Sequence, residues 1–344
     1  RLCDAAHKFA ARALHPTGCR ESVILPNPGI PMLPILFKTL PFFALIGVGY
    51  FAGRTRFFTE EATAWLTKFV FYFALSAMLF RFAANLSLSE IWDPAFAAAY
   101  LLASATLYAV AIAVAKMRGV SMAEAAIEGQ CAVIGNTGFL GVPMLVLLMG
   151  PQAAGPLIML LAIDLIVFST LITLIMTAAR EGRMRLGMIR ILLVGLLKNP
   201  MIVSMILGLS WSSTGAAVPD VVNEFMALLG GAATPGALFA IGASLASRSA
   251  ERMAVAGWLS FCKLVLHPVA VAVAALWLFD VAPFPAAVMI AASSLPVAGN
   301  VYMLAQHFGV APQRVSAAIL ISTALSIGTV TVVIGLVTGP NFTS

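Results

Sequence analysis

Charge is scarce in this chain. Only 10% of its 344 residues are Asp, Glu, Lys or Arg, against about a quarter in a typical soluble domain. Together with 61% hydrophobic residues and a mean hydropathy of +1.00, this excludes a soluble globule. Cysteine is equally sparse, and Cys3, Cys19, Cys131 and Cys262 show no paired spacing, so neither a disulfide framework nor a zinc site is expected. No GxSxG elbow, HExxH motif or pair of catalytic carboxylates lies in an apolar stretch, which argues against an intramembrane enzyme. The net charge of +6 is dispersed over short connections rather than gathered in one stripe, so nucleic acid is not an expected partner. No cofactor is expected.

What the chain has in abundance is apolar runs of about 20 residues, the length that crosses a hydrocarbon core of roughly 30 Å. Membrane strands would alternate over only about 10 residues. The runs therefore predict an all-α polytopic membrane protein in contact with lipid. Ten spans are expected, near 33–52, 62–80, 95–115, 122–149, 156–179, 191–211, 221–246, 254–279, 284–307 and 314–337.

Basic residues fall in the odd-numbered connections: Arg54 and Arg56; Lys116 and Arg118; Arg180, Arg183, Arg185 and Arg190; Arg248 and Arg252; and Arg314. The even connections and the C-terminal tail hold only Arg81. By the positive-inside rule the odd loops face the cytoplasm and both termini lie outside. A plasma membrane, of bacterial inner-membrane type, is the expected location. Arg1, Lys8, Arg12 and Arg20 run against this orientation, and residues 1–31 contain no apolar core long enough for a signal peptide. Met32 directly precedes the first span. The leading segment 1–31 is expected to be disordered or non-native and to carry no function.

The two halves align at a constant offset of 159 residues. Ala77-Met78-Leu79-Phe80 falls on Gly236-Ala237-Leu238-Phe239, and Val110–Ala115 falls on Val269–Ala274. Met144-Leu145 with Gly150 falls on Met303-Leu304 with Gly309. The division is thus 32–190 and 191–344. Five spans per unit is an odd number, so the second unit must enter the membrane inverted, the plan of many secondary transporters.

Span four carries Gly135, Asn136, Thr137, Gly138, Gly141 and Pro143 in mid-membrane, and span nine carries Ser293, Ser294, Pro296, Gly299 and Asn300 at the corresponding depth. Gly costs about 1 kcal/mol and Pro about 3 in a helix interior. Both spans are expected to be broken, and irregular backbone at that depth must be buried in protein or line a wet cavity. Half-helix N-termini brought together there suit a carboxylate or similar anion. Asn136, Thr137, Ser294 and Asn300 would supply neutral hydrogen-bonding groups. For each Gly and Pro taken singly, a kink or close helix packing explains the residue equally well.

The stretches GNTGFLGVP with MLVLLMG, and SLPVAGNVYMLA with QHFG, resemble the fourth and ninth spans of the auxin efflux carrier family, which includes plant PIN-FORMED exporters and bacterial malate or malonate carriers. The resemblance covers roughly residues 32–337. It implies ten spans with outward termini, a scaffold of spans one, two, six and seven that often dimerises, and a mobile core of spans three to five and eight to ten. It also implies that spans four and nine cross at the site, an elevator motion of the core, and a fold similar to that of the bile-acid/sodium symporters. By position it implies site roles for Asn136, Thr137, Pro143, Pro296 and Asn300. Gly135 stands where the plant branch commonly has proline, and the connection after span five is short, so a small dicarboxylate or other organic acid is expected, with auxin-like acids also in the class.

Asp164 sits in mid-span, where a charge costs at least about 2.5 kcal/mol, and should face protein or water. Binding a coupling H⁺ or Na⁺ and a purely structural hydrogen bond to a neighbouring span both fit it. Lys263 and His267, at i and i+4, share a helix face and read either as an anion-attracting or proton-relaying pair or as a structural polar patch. Glu124 and Glu128, beside Lys116 and Arg118, are expected to form a solvated ion-pair cluster at the membrane surface. The leading expectation is a secondary carrier of a small organic anion. A cation or Na⁺/H⁺ exchanger and a non-transporting receptor for such an anion are the alternatives.

Overall fold

The computed structural model of the protein describes residues 32–85, 93–181, 194, 197–246 and 253–339. The expectation for residues 1–31 and the positions of Arg183, Arg185, Arg190, Arg248 and Arg252 lie outside the described residues. Within them the chain is helical with no strand. In chain order the helices are α1 (Met32–Arg54), α2 (Glu60–Ala84) and α3 (Pro94–Met117), α4 (Met122–Val133), α5 (Thr137–Met149), α6 (Pro151–Met176), α7 (Pro200–Ser212), α8 (Asp220–Ala246), α9 (Met253–Leu278) and α10 (Pro283–Ser293), α11 (Gly299–Phe308) and α12 (Pro312–Val337). Helices α2, α3, α6, α8, α9 and α12 are long and apolar enough to cross a membrane, while α5, α7, α10 and Leu40–Arg54 of α1 are shorter apolar helices.

Local chemistry sets several starts. The Asp93 carboxylate accepts from the N–H groups of Ala95 and Phe96, with Pro94 in the first turn, where a missing N–H costs nothing. Ser121 and Glu124 form a reciprocal capping box at α4, and Asn199 accepts from the Met201 N–H at α7. Such N-caps contribute about 1 kcal/mol each.

Helix boundaries recur at the same offset. Shifted by 159, α3 covers 253–276, against Met253–Leu278 observed, and α6 covers 310–335, against Pro312–Val337. One packing contact recurs at this offset as well. Helix α1 lies on the second half of α8, and α7 lies on the second half of α2. A Cβ at Gly49 would collide with the Phe239 carbonyl, and one at Gly208 would sit 2.7 Å from the Phe80 carbonyl. Both differences, 208 − 49 and 239 − 80, equal 159. Small residues let membrane helices approach backbone to backbone, and here the same approach is made twice.

Glu128 corrects the expectation of a solvated cluster. Its side chain is fully buried, held by Arg118 and by Arg314, whose Nη1 lies 2.6 Å from Oε1. Arg314, at the start of α12, also reaches Glu124 at 3.3 Å, while Lys116 turns away to the Val120 carbonyl. A buried carboxylate needs paired charge and hydrogen bonds to remain ionised. The missing partner was 186 residues away in sequence, beyond the reach of i, i+4 reasoning.

Candidate functional site

Both glycine- and proline-bearing stretches interrupt their helices, and the interruptions meet. Helix α4 stops at Ile134, whose backbone turns extended, and α10 stops at Ser294. Gly135 and Val297 then form an isolated antiparallel bridge. The Asn136 N–H donates to the Pro296 carbonyl at 2.8 Å, and the Ala298 N–H donates to the Ile134 carbonyl at 3.1 Å. The Val297 N–H is taken by Ser322 Oγ of α12 at 3.1 Å. The Asn136, Val297 and Ala298 N–H groups are thus satisfied by the other break or by α12, the requirement for irregular chain away from water.

Beyond the crossing the chain resumes as α5 and α11. Gly138 and Phe139 from the start of α5, and Gly299 and Asn300 from the start of α11, line one cavity of about 470 Å³. The first turn of a helix presents unpaired N–H groups and partial positive charge, so two such ends share this space. Asn136, Gly135, Asp164, Thr170, Thr173 and Asn199 add polar or small lining, and Phe71, Leu161, Met201, Ile202 and Leu304 supply apolar walls.

Of the residues singled out from sequence, Gly135, Asn136, Gly138, Asp164, Gly299 and Asn300 line the cavity. Thr137, Pro143, Gly141, Ser294, Pro296, Lys263 and His267 are not among the lining residues. Thr137 and Ser294 are buried, and the Ser294 hydroxyl donates to the Ala291 carbonyl of its own helix. Pro296 contributes its carbonyl to the crossing, and Gly141 packs where a Cβ would press on the Leu295 side chain.

Asp164 opens a π-turn, Asp164–Phe168, in α6, and Lys263 lies in another, Cys262–Leu266, in α9. Such turns free a carbonyl from the helix ladder and are frequent at functional sites. Here Gln130 of α4 donates to the Phe168 carbonyl at 2.7 Å. The Tyr100 hydroxyl of α3 donates to Asp164 Oδ1 at 2.9 Å, while the buried Asp164 Oδ2 and Asn300 Oδ1 have no partner.

Behind the break, Lys263 is completely buried. Its ammonium donates to the Ser293 carbonyl at the end of α10 and to His267 Nδ1 at 3.1 Å. A cation at a helix C-terminus is favourably placed against the dipole. Because Nδ1 accepts from the ammonium, the His267 proton is assigned to Nε2, which donates to Ser104 Oγ at 2.9 Å. Tyr100, Ser104, Ser322 and Gln130 were not singled out from sequence. Their only signal was hydroxyl or amide side chains within apolar spans, too common to select them.

A family model described as "Membrane transport protein" matches residues 34–334. A Rhizobium meliloti (strain 1021) protein named "Putative malonate transporter" is 32% identical over 305 residues, covering 87% of this chain and 95% of that protein. Both mark a membrane transport protein rather than an enzyme. The chain belongs to the auxin efflux carrier family of membrane transport proteins, the family its two interrupted motifs resemble.

Proposed function

We propose that the protein is a secondary carrier of a small organic anion, a short dicarboxylate of the malonate kind, which binds in the cavity where the two interruptions cross. The observation that carries this reading is the convergence of two half-helix N-termini, with Asn136 and Asn300 beside them, on one space of about 470 Å³. Each terminus is worth about 0.3–2 kcal/mol to an anion, more where water is excluded. The Rhizobium relative's name agrees in substrate class.

In this reading ten spans form two inverted five-span repeats, supported by the recurrence of the Gly49 and Gly208 packing at a shift of 159. Spans one, two, six and seven make a scaffold and a homodimer contact. The remaining spans carry the site between the two faces of a plasma membrane by an elevator motion, with both termini outside. Asn136, Thr137, Pro143, Ser294, Pro296 and Asn300 are the proposed substrate-site residues, the two asparagines by contact and the others by shaping the break.

The test is malonate counterflow in proteoliposomes, with a thermal-shift screen against other small acids, since a bound ligand stabilises by mass action. Asn136→Ala and Asn300→Ala are expected to lower uptake at least tenfold with melting temperature unchanged. Wild-type uptake by both variants would place the site elsewhere. A cation exchanger is the second reading, favoured by the two unpartnered oxygens of Asp164 and Asn300. Cation flux without any organic anion would select it.

A further inference from the structure

We propose that Asp164 is the proton-coupling group of this carrier, taking up one proton whenever an anion occupies the cavity; the inference rests on the anion reading above. The groups facing Asp164 are few. Helix α3 offers Tyr100, hydrogen-bonded to Oδ1, and α9 offers Lys263, fully buried behind the break. Helices α5 and α10, which pack on α6, contain no titratable residue. On α4, also packed on α6, Glu128 is engaged by Arg118 and Arg314. From α2 the candidates are Lys68, over the Trp65 ring, and Arg81, bonded to Asn223.

Among the described residues the buried chamber therefore holds one carboxylate, Asp164, and one ammonium, Lys263. Two hydrogen-bonded segments lie between them: Lys263 to His267 and His267 to Ser104 on one side, and Tyr100, one helical turn before Ser104 on α3, to Asp164 on the other. Hydrogen bonds in series polarise one another, so Asp164 is the counter-charge of Lys263 while the cavity is empty of anion. An arriving carboxylate adds a second negative charge beside the unpartnered Oδ2 in a water-poor space, where like charges interact strongly. A proton on Oδ2 removes that repulsion, leaves Lys263 balanced by the substrate, and turns an unpaired buried acceptor into a donor.

The experiment measures malonate binding to purified protein by calorimetry in buffers of different ionisation enthalpy, at pH values where malonate is fully ionised, and accumulation in proteoliposomes under a pH or a Na⁺ gradient. One proton taken up per malonate is expected, with affinity falling toward tenfold per unit rise in pH and accumulation driven by the pH gradient alone. Asp164→Asn, permanently neutral, is expected to abolish proton uptake and to bind malonate at the highest pH more tightly than wild type does. Proton uptake of zero in wild type, uptake persisting in Asp164→Asn, or accumulation driven by Na⁺ would each overturn the proposal. If Asp164→Asn does not fold, the wild-type proton count decides. Absence of any malonate binding or exchange in wild type would overturn the anion reading and this one together. Exchange that proceeds without protons would overturn only this one.

Discussion

Replacing Gly208 by Ala tests the packing on which the proposed scaffold depends. The added methyl would lie 2.6 Å from Ala83 Cβ and 2.7 Å from the Phe80 carbonyl oxygen, roughly 0.8 Å inside the ordinary contact distance of about 3.5 Å. Neither neighbour can rotate away, because one is a backbone group and the other a Cβ, so α7 must move off α2. Overpacking of this kind costs about 1–3 kcal/mol, opposed by about 1 kcal/mol gained from replacing a helical glycine. Gly47→Ala in α1 isolates the packing cost, because a Cβ there meets nothing within 4 Å and the propensity gain cancels. Gly208→Ala is therefore expected to be about 1–3 kcal/mol less stable than Gly47→Ala, roughly 2–10 °C in melting temperature, measured on detergent-solubilised protein by intrinsic fluorescence. Gly49→Ala, the equivalent change 159 residues earlier, is expected to shift the same way and further. If Gly208→Ala melted at or above Gly47→Ala, the close approach and the repeated seam built on it would be refuted.

Glu128→Ala removes the buried counter-charge of Arg314, and breaking such a pair is expected to cost about 3–5 kcal/mol. A wild-type melting curve would show that the ion pair does not hold α4 to α12. Ser322→Ala leaves the Val297 N–H without its acceptor inside the crossing, a loss of about 1–3 kcal/mol. Lower stability and weaker malonate binding should appear together in thermal-shift titrations, and unchanged values for both would free the break from dependence on α12. Tyr100→Phe removes the donor to the buried Asp164 Oδ1 and is expected to displace the pH midpoint of malonate binding while costing about 1–3 kcal/mol of stability. An unmoved midpoint would detach Tyr100 from the proton site.

Much of the candidate site was legible because breaking a helix in mid-membrane requires particular residues. Gly135, Asn136 and Gly138 in one stretch, and Pro296, Gly299 and Asn300 in the other, announce irregular backbone by composition alone, and those positions are where α4 and α10 end. Asp164 was legible for a related reason, since a carboxylate in an apolar run must have a destination. What could not be read was each destination. Tyr100 lies 64 residues from Asp164, and Ser104 lies 163 from His267. A serine or tyrosine in an apolar span carries no mark of the partner it will meet.

The sequence by itself determined helix, span length and the points of interruption, because these follow from properties local to the chain: hydropathy over about 20 residues, the backbone freedom of glycine and the missing N–H of proline. Only the tertiary structure decided that Asn136 would donate to Pro296, that Lys263 would close the end of α10 behind the crossing, and that Glu128 would be buried between two arginines. These are pairings between groups far apart in sequence. Their energies depend on distance and on the exclusion of water, quantities that exist only once the helices have packed.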